Sequence, residues 1–425
     1  MSHTPPGPLR RRGPRPLALH LMLAAWRGMA AAATTPSCPV SSTGSTRSNG
    51  GSRRWRSDEA AARAEALGQR LGAAGRAPAD LPGAVLRELA RQDRALIAGI
   101  AAYRRHPWQR SLVDPPILWR EGDSRLLDYG ATASLPPEAP VLLVVPSLVN
   151  RAHVLDLMEG ASMLRFLAGR GLRPLLLDWG WPGEVERRFT LTDYIAGRLE
   201  RALAFAAAEA GGPVRLAGYC MGGLLAVAAA CRRPDLVRGL ALLATPWDFH
   251  AGDPDRARAL AAALPLCEPA LAFADALPVD LLQTLFAALD PFGIAAKYRG
   301  FARLDPASPR ARLFVALEDW LNDGIPLAAP VARECLAGWY GRNEPARGAW
   351  RVAGLPVQPG SVRCPAFVAV PGRDRIVPPD SALPLAAALP AAVLHRPNAG
   401  HIGMAAGSGA EAALWRPLAD WASAL

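Results

Sequence analysis

Val214-Arg215-Leu216-Ala217-Gly218-Tyr219-Cys220-Met221-Gly222-Gly223-Leu224-Leu225 decides how the rest of the chain is read. An apolar, strand-like lead-in runs into Gly-x-Cys-x-Gly-Gly, and a small-residue run, Ala226 to Ala230, continues as a helix. The pattern is that of a nucleophile elbow, with cysteine where esterases usually carry serine. Gly218 and Gly222 fall where a Cβ would collide with the neighbouring strand and helix. Cys220 then stands at the tip of the turn, with its sulfur at the positive end of a helix dipole, and the Met221 N–H supplies half of an oxyanion hole. A buried structural cysteine beside a tight strand–helix contact would carry the same short motif, so partners elsewhere must decide.

Two later stretches supply them. Phe367-Val368-Ala369-Val370-Pro371-Gly372-Arg373-Asp374-Arg375-Ile376-Val377-Pro378 reads as an apolar strand ending in a loop that carries an acid. Val393-Leu394-His395-Arg396-Pro397-Asn398-Ala399-Gly400-His401-Ile402 reads as a short strand followed by a Gly-His loop. Nucleophile, acid, histidine is the order that the α/β-hydrolase fold imposes on a triad, here Cys220, Asp374 and His401. Asp248, after the strand that follows the elbow, is the alternative acid. Asp178 ends a strand too, but it precedes the nucleophile. His153 and His250 lie near strand ends, where a lone histidine is more often structural than catalytic.

Composition bounds the other readings. A chain of 425 residues, 51% hydrophobic and 20% charged, can bury one large α/β core together with an insertion. The net charge of +11 resembles a nucleic-acid signal, but nine arginines and no acid lie before Asp58, leaving +2 for everything after. Lys297 is the only lysine, and no stacking aromatics interleave with basic residues along the body, which argues against nucleic-acid binding. The six cysteines, Cys38, Cys220, Cys231, Cys267, Cys335 and Cys364, show no paired spacing, so neither a disulfide framework nor a zinc site is expected. No metal is called, and a reducing, cytoplasmic setting fits better. No Gly-rich phosphate loop precedes a helix, so no nucleotide cofactor is implied.

In chain order, Met1 to Arg15 is Pro/Arg-rich and reads as disordered. Leu17 to Trp26 is apolar, but Arg27 interrupts it after ten residues, too short for a bilayer. It is read as a short helix that docks on a partner or an apolar surface, with a linker to Ser57. Residues 1–57 thus form a basic tail and 58–116 a helical lead-in. Residues 117–246 and 362–425 form the core, starting with a hairpin over Leu118 to Tyr129. The run Val141-Leu142-Leu143-Val144-Val145-Pro146 reads as a buried central strand. Its loop, Ser147-Leu148-Val149-Asn150-Arg151, occupies the place of the second oxyanion donor, which is Leu148 or Val149. Strands near Pro174 to Gly180 and Gly239 to Thr245 complete a doubly wound, mostly parallel sheet. Residues 247–361 are helical and rich in Trp, Phe and Leu. They read as a lid over the thiol, or as a subdomain packed only for stability.

These residues resemble a family. Val145-Pro146-Ser147-Leu148-Val149-Asn150-Arg151, Asp178-Trp179-Gly180, Asp193-Tyr194-Ile195, Gly218-Tyr219-Cys220-Met221-Gly222-Gly223, Trp247-Asp248-Phe249, Asp374-Arg375-Ile376-Val377-Pro378 and Gly400-His401-Ile402 look like the motifs of polyhydroxyalkanoate synthases. The likeness covers about Leu118 to the C-terminus. It implies Cys220 as the acylated nucleophile, His401 as its base, and Asp374 as an acid acting on His401 or on the substrate hydroxyl. It also implies 3-hydroxyacyl-CoA as substrate, a growing polyester as product, and association with polyester granules. Two departures stand out: Arg375 follows the acid where the family commonly has His, and the stretch after His401 is short, with Trp415 and Trp421, as in the two-subunit type of synthase. A homodimer or a second synthase subunit is therefore an expected partner. Asn150, Arg151 and Arg375 are candidate substrate contacts, the arginines toward coenzyme A.

The chemistry argues separately for transfer. A thiolate attacking a coenzyme A thioester gives an enzyme thioester of nearly equal energy, which keeps the acyl group activated for an alcohol. The rivals are a cysteine hydrolase with the same triad, such as a thioesterase or depolymerase, and a non-catalytic granule-associated homologue.

Overall fold

In the computed structural model, residues 11–34, 58–77 and 80–425 are described. They fall into two compact units, one built from the N-terminal residues to His106 together with Asp290–Pro306, the other from Pro107–Leu289 and Ala307–Leu425.

The smaller unit is helical. Its long helix, Leu81–Arg105, crosses the Gly293–Phe301 helix at Gly99, where a Cβ would stand 2.1 Å from the Tyr298 carbonyl oxygen. Tyr103 and Tyr298 meet edge to face beside that crossing, 5.6 Å between ring centroids. The Gly293–Phe301 helix lies within the 247–361 insertion in sequence yet packs with the N-terminal helices, which local periodicity cannot reveal.

The apolar run ends at Arg27, but the helix is longer than the short one expected. The first helix runs from Leu17 to Thr34, because the Arg27 guanidinium turns to Gln92 Oε1 (2.8 Å) and Asp93 Oδ1 (3.1 Å) on the long helix. His20 and Ala24 are buried, so this helix docks on its own chain. Within the stretch read as disordered, Arg104 donates to the carbonyls of Gly13 (3.2 Å) and Arg12 (3.0 Å). The remainder of the tail and the linker, residues 1–10 and 35–57, lie outside the described residues.

The larger unit is built on an eight-stranded sheet. Its strands are β1 (Ile117–Glu121), β2 (Ser124–Asp128), β3 (Val141–Val145), β4 (Arg173–Asp178), β5 (Val214–Tyr219), β6 (Val237–Leu243), β7 (Ala366–Ala369) and β8 (Ala392–His395). Their spatial order is β1-β2-β4-β3-β5-β6-β7-β8. β1 and β2 form the expected antiparallel hairpin, β2 pairs antiparallel with β4, and from β4 to β8 every pairing is parallel. β3 and β5, the middle of the sheet, are buried at every position, as strands covered by helices on both faces must be. One face carries Leu143, Val145, Leu216 and Leu240 under the Glu200–Glu209 and Met221–Arg232 helices; the other carries Leu142, Val144, Ala217 and Phe367 under Met163–Gly169 and the C-terminal helices.

The insertion is mostly helical, with helices at Pro254–Ala262, Leu264–Ala274, Val279–Ala287 and Pro309–Asn322 and a π-helical turn at Glu334–Gly341. No single helix among the described residues is long and apolar enough to cross a membrane.

Candidate active site

The site is assembled where the carboxyl ends of β5, β7 and β8 meet. β5 delivers Cys220 at φ 57° and ψ −128°, a left-handed conformation that a non-glycine residue adopts only under constraint. The constraint is visible: Cys220 N–H donates to Leu243 O on β6 at 2.8 Å, and its own carbonyl accepts from Gly223 N–H at 3.0 Å. The turn closes because its glycines lack side chains. A Cβ on Gly218 would lie 2.4 Å from Gly223 Cα, and one on Gly222 would lie 2.2 Å from the Val145 carbonyl oxygen. Cys220 is half-buried at the start of the Met221–Arg232 helix.

Asp374 follows β7 in a largely exposed loop and is itself buried. Its Oδ1 accepts from the N–H groups of Ile376 (2.8 Å) and Val377 (2.9 Å), which leaves Oδ2 directed at His401 Nδ1, 2.6 Å away. The two loops are zipped together by Gly372 N–H to Pro397 O and Arg373 N–H to Ala399 O, each 2.9 Å. His401 begins the His401–Ala406 helix and is buried. Burial opposes its protonation, yet the charge of Cys220, the hydrogen bond to Asp374 and a hydrogen bond with Cys220 outweigh that and push its pKa up to about 10. Cys220, His401 and Asp374 therefore interact in sequence. Asp248, the alternative acid, is engaged elsewhere: its Oδ1 accepts from His250 N–H (2.9 Å) and Asn343 Nδ2 (2.8 Å).

The oxyanion candidates differ in what they bond. Among the described residues Met221 N–H, in the first turn of its helix, has no acceptor, and neither has Leu148 N–H. Val149 N–H donates to Ser147 Oγ at 3.0 Å and is thereby occupied. The loop is held from below by Trp179, whose Nε1 donates to Pro146 O at 3.0 Å and whose ring meets Tyr194 edge to face.

Asn150 and Arg151 face the insertion. Asn150, at φ 68°, accepts from Gln283 Nε2 at 3.2 Å. Arg151 pairs with Asp323 at 3.3 Å, stacks over Trp181, and its carbonyl accepts from Trp320 Nε1 at 2.7 Å. Arg375 is exposed beside the acid. Asp178 pairs with Arg125. Both, with Arg110, Arg151, His153 and Asp323, line a cavity of about 280 Å³. Burial, then the charges of Arg110 and Arg151, lowers the His153 pKa to about 4, so it is neutral. His250 Nε2 bonds the Tyr340 carbonyl at 2.8 Å.

Two site residues carried no separate signal in the sequence. Tyr219 precedes Cys220, is buried, and contacts His401 with both its ring and its hydroxyl. Tyr340, from the insertion, packs edge to face on Phe249 at 4.9 Å. Burial, then the charges of Cys335 and Cys220, raises its hydroxyl pKa.

Residues 140–263, from β3 past the elbow, match the α/β hydrolase fold family. The poly(3-hydroxyalkanoate) polymerase subunit PhaC of Allochromatium vinosum is 31% identical over 262 residues, 60% of this chain and 72% of that protein. The chain belongs to the PhaC family. Two further PhaC subunits extend the match. That of Haloferax mediterranei is 29% identical over 72% of this chain and 63% of its own length, and that of Thiocystis violacea 27% identical over 70% and 84%. The elbow, the acid loop and the histidine loop of this PhaC-family chain thus lie on an α/β-hydrolase sheet. Of its candidate oxyanion donors, Met221 and Leu148 have N–H groups without an acceptor among the described residues.

Proposed function

We propose that the chain is an acyltransferase that polymerises 3-hydroxyacyl groups from their coenzyme A thioesters through an acyl-Cys220 intermediate. The observation that carries this reading is the coupling of Cys220, His401 and Asp374 in a member of the PhaC family. His401 takes the Cys220 proton, and the sulfur attacks the thioester carbonyl. The oxyanion is held by Met221 N–H and Leu148 N–H. Collapse expels coenzyme A, which leaves with the proton from His401 as the free thiol, and the acyl group stays on sulfur as a thioester.

Acylation then changes the base. The charge of Cys220 and its hydrogen bond are two of the influences that raise the His401 pKa, and both vanish once the sulfur carries an acyl group. Burial, which favours the neutral ring, now works against Asp374 alone. The imidazole, having given its proton to the departing coenzyme A, stays neutral and can accept one from the hydroxyl of a 3-hydroxyacyl unit. The resulting alkoxide attacks the acyl carbonyl, an ester bond forms, the C–S bond breaks, and Cys220 returns to its pairing with the imidazolium. Asp374 holds the ring in one tautomer throughout. The thioester supplies the driving force, so the cycle uses no cofactor.

Asn150, Arg151 and Arg375 are assigned to substrate positioning at the mouth of the site, and Tyr340 to the lid side of the acyl pocket. The relatives are named as subunits, and a second subunit or a second copy of the chain is the expected partner, acting at a polyester granule in the cytoplasm. The test is release of free coenzyme A from 3-hydroxybutyryl-CoA by the protein and by Cys220→Ala, with and without a candidate second subunit, and with the acyl product identified. Oligomeric ester that disappears in the variant supports the proposal. Free 3-hydroxybutyrate would make the chain a thioesterase, and release that does not depend on Cys220 would overturn the mechanism.

A further inference from the structure

The residue preceding the nucleophile touches the base in two ways. Tyr219 Oη donates to the His401 carbonyl oxygen at 3.2 Å, across 182 residues of sequence. Its ring lies against the imidazole with centroids 5.2 Å apart and planes inclined at 36°. The two contacts fix different things. The hydrogen bond holds the first turn of the His401–Ala406 helix to the end of β5, the strand that also carries Cys220, so nucleophile and base are referenced to one backbone segment. The ring presents an aromatic face beside a group that is cationic while the sulfur is charged, and a π face favours the cation.

Asp374 cannot supply either restraint. It holds Nδ1 from the far edge of the ring, in a loop tied to the histidine loop and not to the elbow. We infer that Tyr219 is a positioning residue for the proposed acyl transfer: it ties the base helix to the nucleophile strand and so keeps His401 within reach of Cys220 Sγ. This rests on the acyl-Cys220 reading. Tyr219 is buried; burial first, then the charges of Cys220 and Asp374, raises its hydroxyl pKa, so the donor keeps its proton across the working range. A hydroxyl bonded to a backbone carbonyl relays no proton, which makes its role geometric.

The test compares Tyr219→Phe, which keeps the ring and loses the tie, with Tyr219→Leu, which loses both. Tyr129→Phe is the control: it also removes a buried tyrosine hydroxyl, one bonded to Asp156 at 3.1 Å, outside the triad. Three quantities are read: the rate at which iodoacetamide alkylates Cys220 at pH 7, followed on the Cys220 peptide by mass spectrometry; kcat and KM for coenzyme A release; and the thermal midpoint. Loss of one net hydrogen bond corresponds to about fivefold. Tyr219→Phe is expected to lower both alkylation and kcat about fivefold at unchanged KM, and Tyr219→Leu further, while Tyr129→Phe moves only the thermal midpoint. Alkylation and kcat at wild-type level in Tyr219→Phe would overturn the inference, and so would equal losses in Tyr129→Phe. If the wild-type protein releases no coenzyme A but the alkylation order holds, the proposed function fails while the tie between Tyr219 and His401 stands.

Discussion

Removing the sulfur of Cys220 should change the acid–base character of His401 more than any other single substitution that leaves the fold intact. In the free protein burial favours the neutral ring, but the Cys220 charge, the Asp374 hydrogen bond and the Cys220 hydrogen bond together hold the pKa at about 10. Cys220→Ala withdraws two of the four raising influences and leaves the hydrogen bond and the charge of Asp374. A hydrogen bond to a charged group is worth about 1.5–3 kcal/mol, or roughly one to two pKa units at about 1.36 kcal/mol per unit. A unit charge about 4 Å away in a medium of effective dielectric about 20 contributes up to about 4 kcal/mol more. The His401 pKa should therefore fall by at least about two units in Cys220→Ala. It should fall similarly in wild-type protein whose Cys220 is capped with iodoacetamide, a neutral stand-in for the acyl-enzyme. The assay is a pH titration of the imidazole nitrogens by NMR, with His401→Gln assigning the signal among the seven histidines of the chain. A His401 pKa within about half a unit of wild type in both the variant and the capped protein would refute the idea that acylation converts the imidazolium into a base.

Other outcomes follow from the same geometry. Asp374→Asn should lower kcat for coenzyme A release by about 10³–10⁴-fold, because the wrong tautomer is then held. Asp248→Asn should stay within about threefold, since an amide oxygen can still accept from His250 and Asn343; steady-state kinetics of the two variants decide between the acids. Gly222→Ala drives a Cβ to 2.2 Å from Val145 O and 2.6 Å from Pro146 O, both backbone atoms, and should cost about 1–3 kcal/mol in denaturant unfolding together with most activity. Stability should also depend on pH through His401. Its folded pKa of about 10 lies above the ordinary 6.5, so its contribution is complete below about pH 6.5 and is lost as pH rises toward 10. Urea unfolding at pH 6.5 and 9.5 should therefore show a larger loss for wild type than for Cys220→Ala.

Much of the core was legible because its constraints are local. Gly218 and Gly222 are dictated by neighbouring backbone that a Cβ would meet at 2.2–2.4 Å, which leaves a readable spacing around Cys220. The chain order of Cys220, Asp374 and His401 follows from how strands wind into a parallel sheet. The rest depended on contacts that no spacing encodes. Leu148 and Val149 are distinguished by a bond from Val149 N–H to Ser147 Oγ, a choice of side-chain rotamer. Arg27 reads as a break in an apolar run, but its partners Gln92 and Asp93 lie more than sixty residues away and let the helix continue. Residues 290–306 share the composition of the insertion around them and still pack with the N-terminal helices, through the Gly99–Tyr298 crossing. Tyr219 reads as one more apolar position in a strand until the fold brings His401 onto its ring.

The account rests on a covalent acyl group at one sulfur. The most direct measurement is to mix the protein with 3-hydroxybutyryl-CoA, quench in acid within milliseconds to seconds, and map the digested peptides by mass spectrometry. A 3-hydroxybutyryl adduct on the Cys220 peptide should appear before polymer, be absent as a thioester in Cys220→Ser, and form more slowly in His401→Gln, which lacks the base that takes the Cys220 proton. Turnover of the thioester with no adduct on Cys220 at any quench time, or an adduct on another residue that forms and decays at the rate of catalysis, would contradict the account.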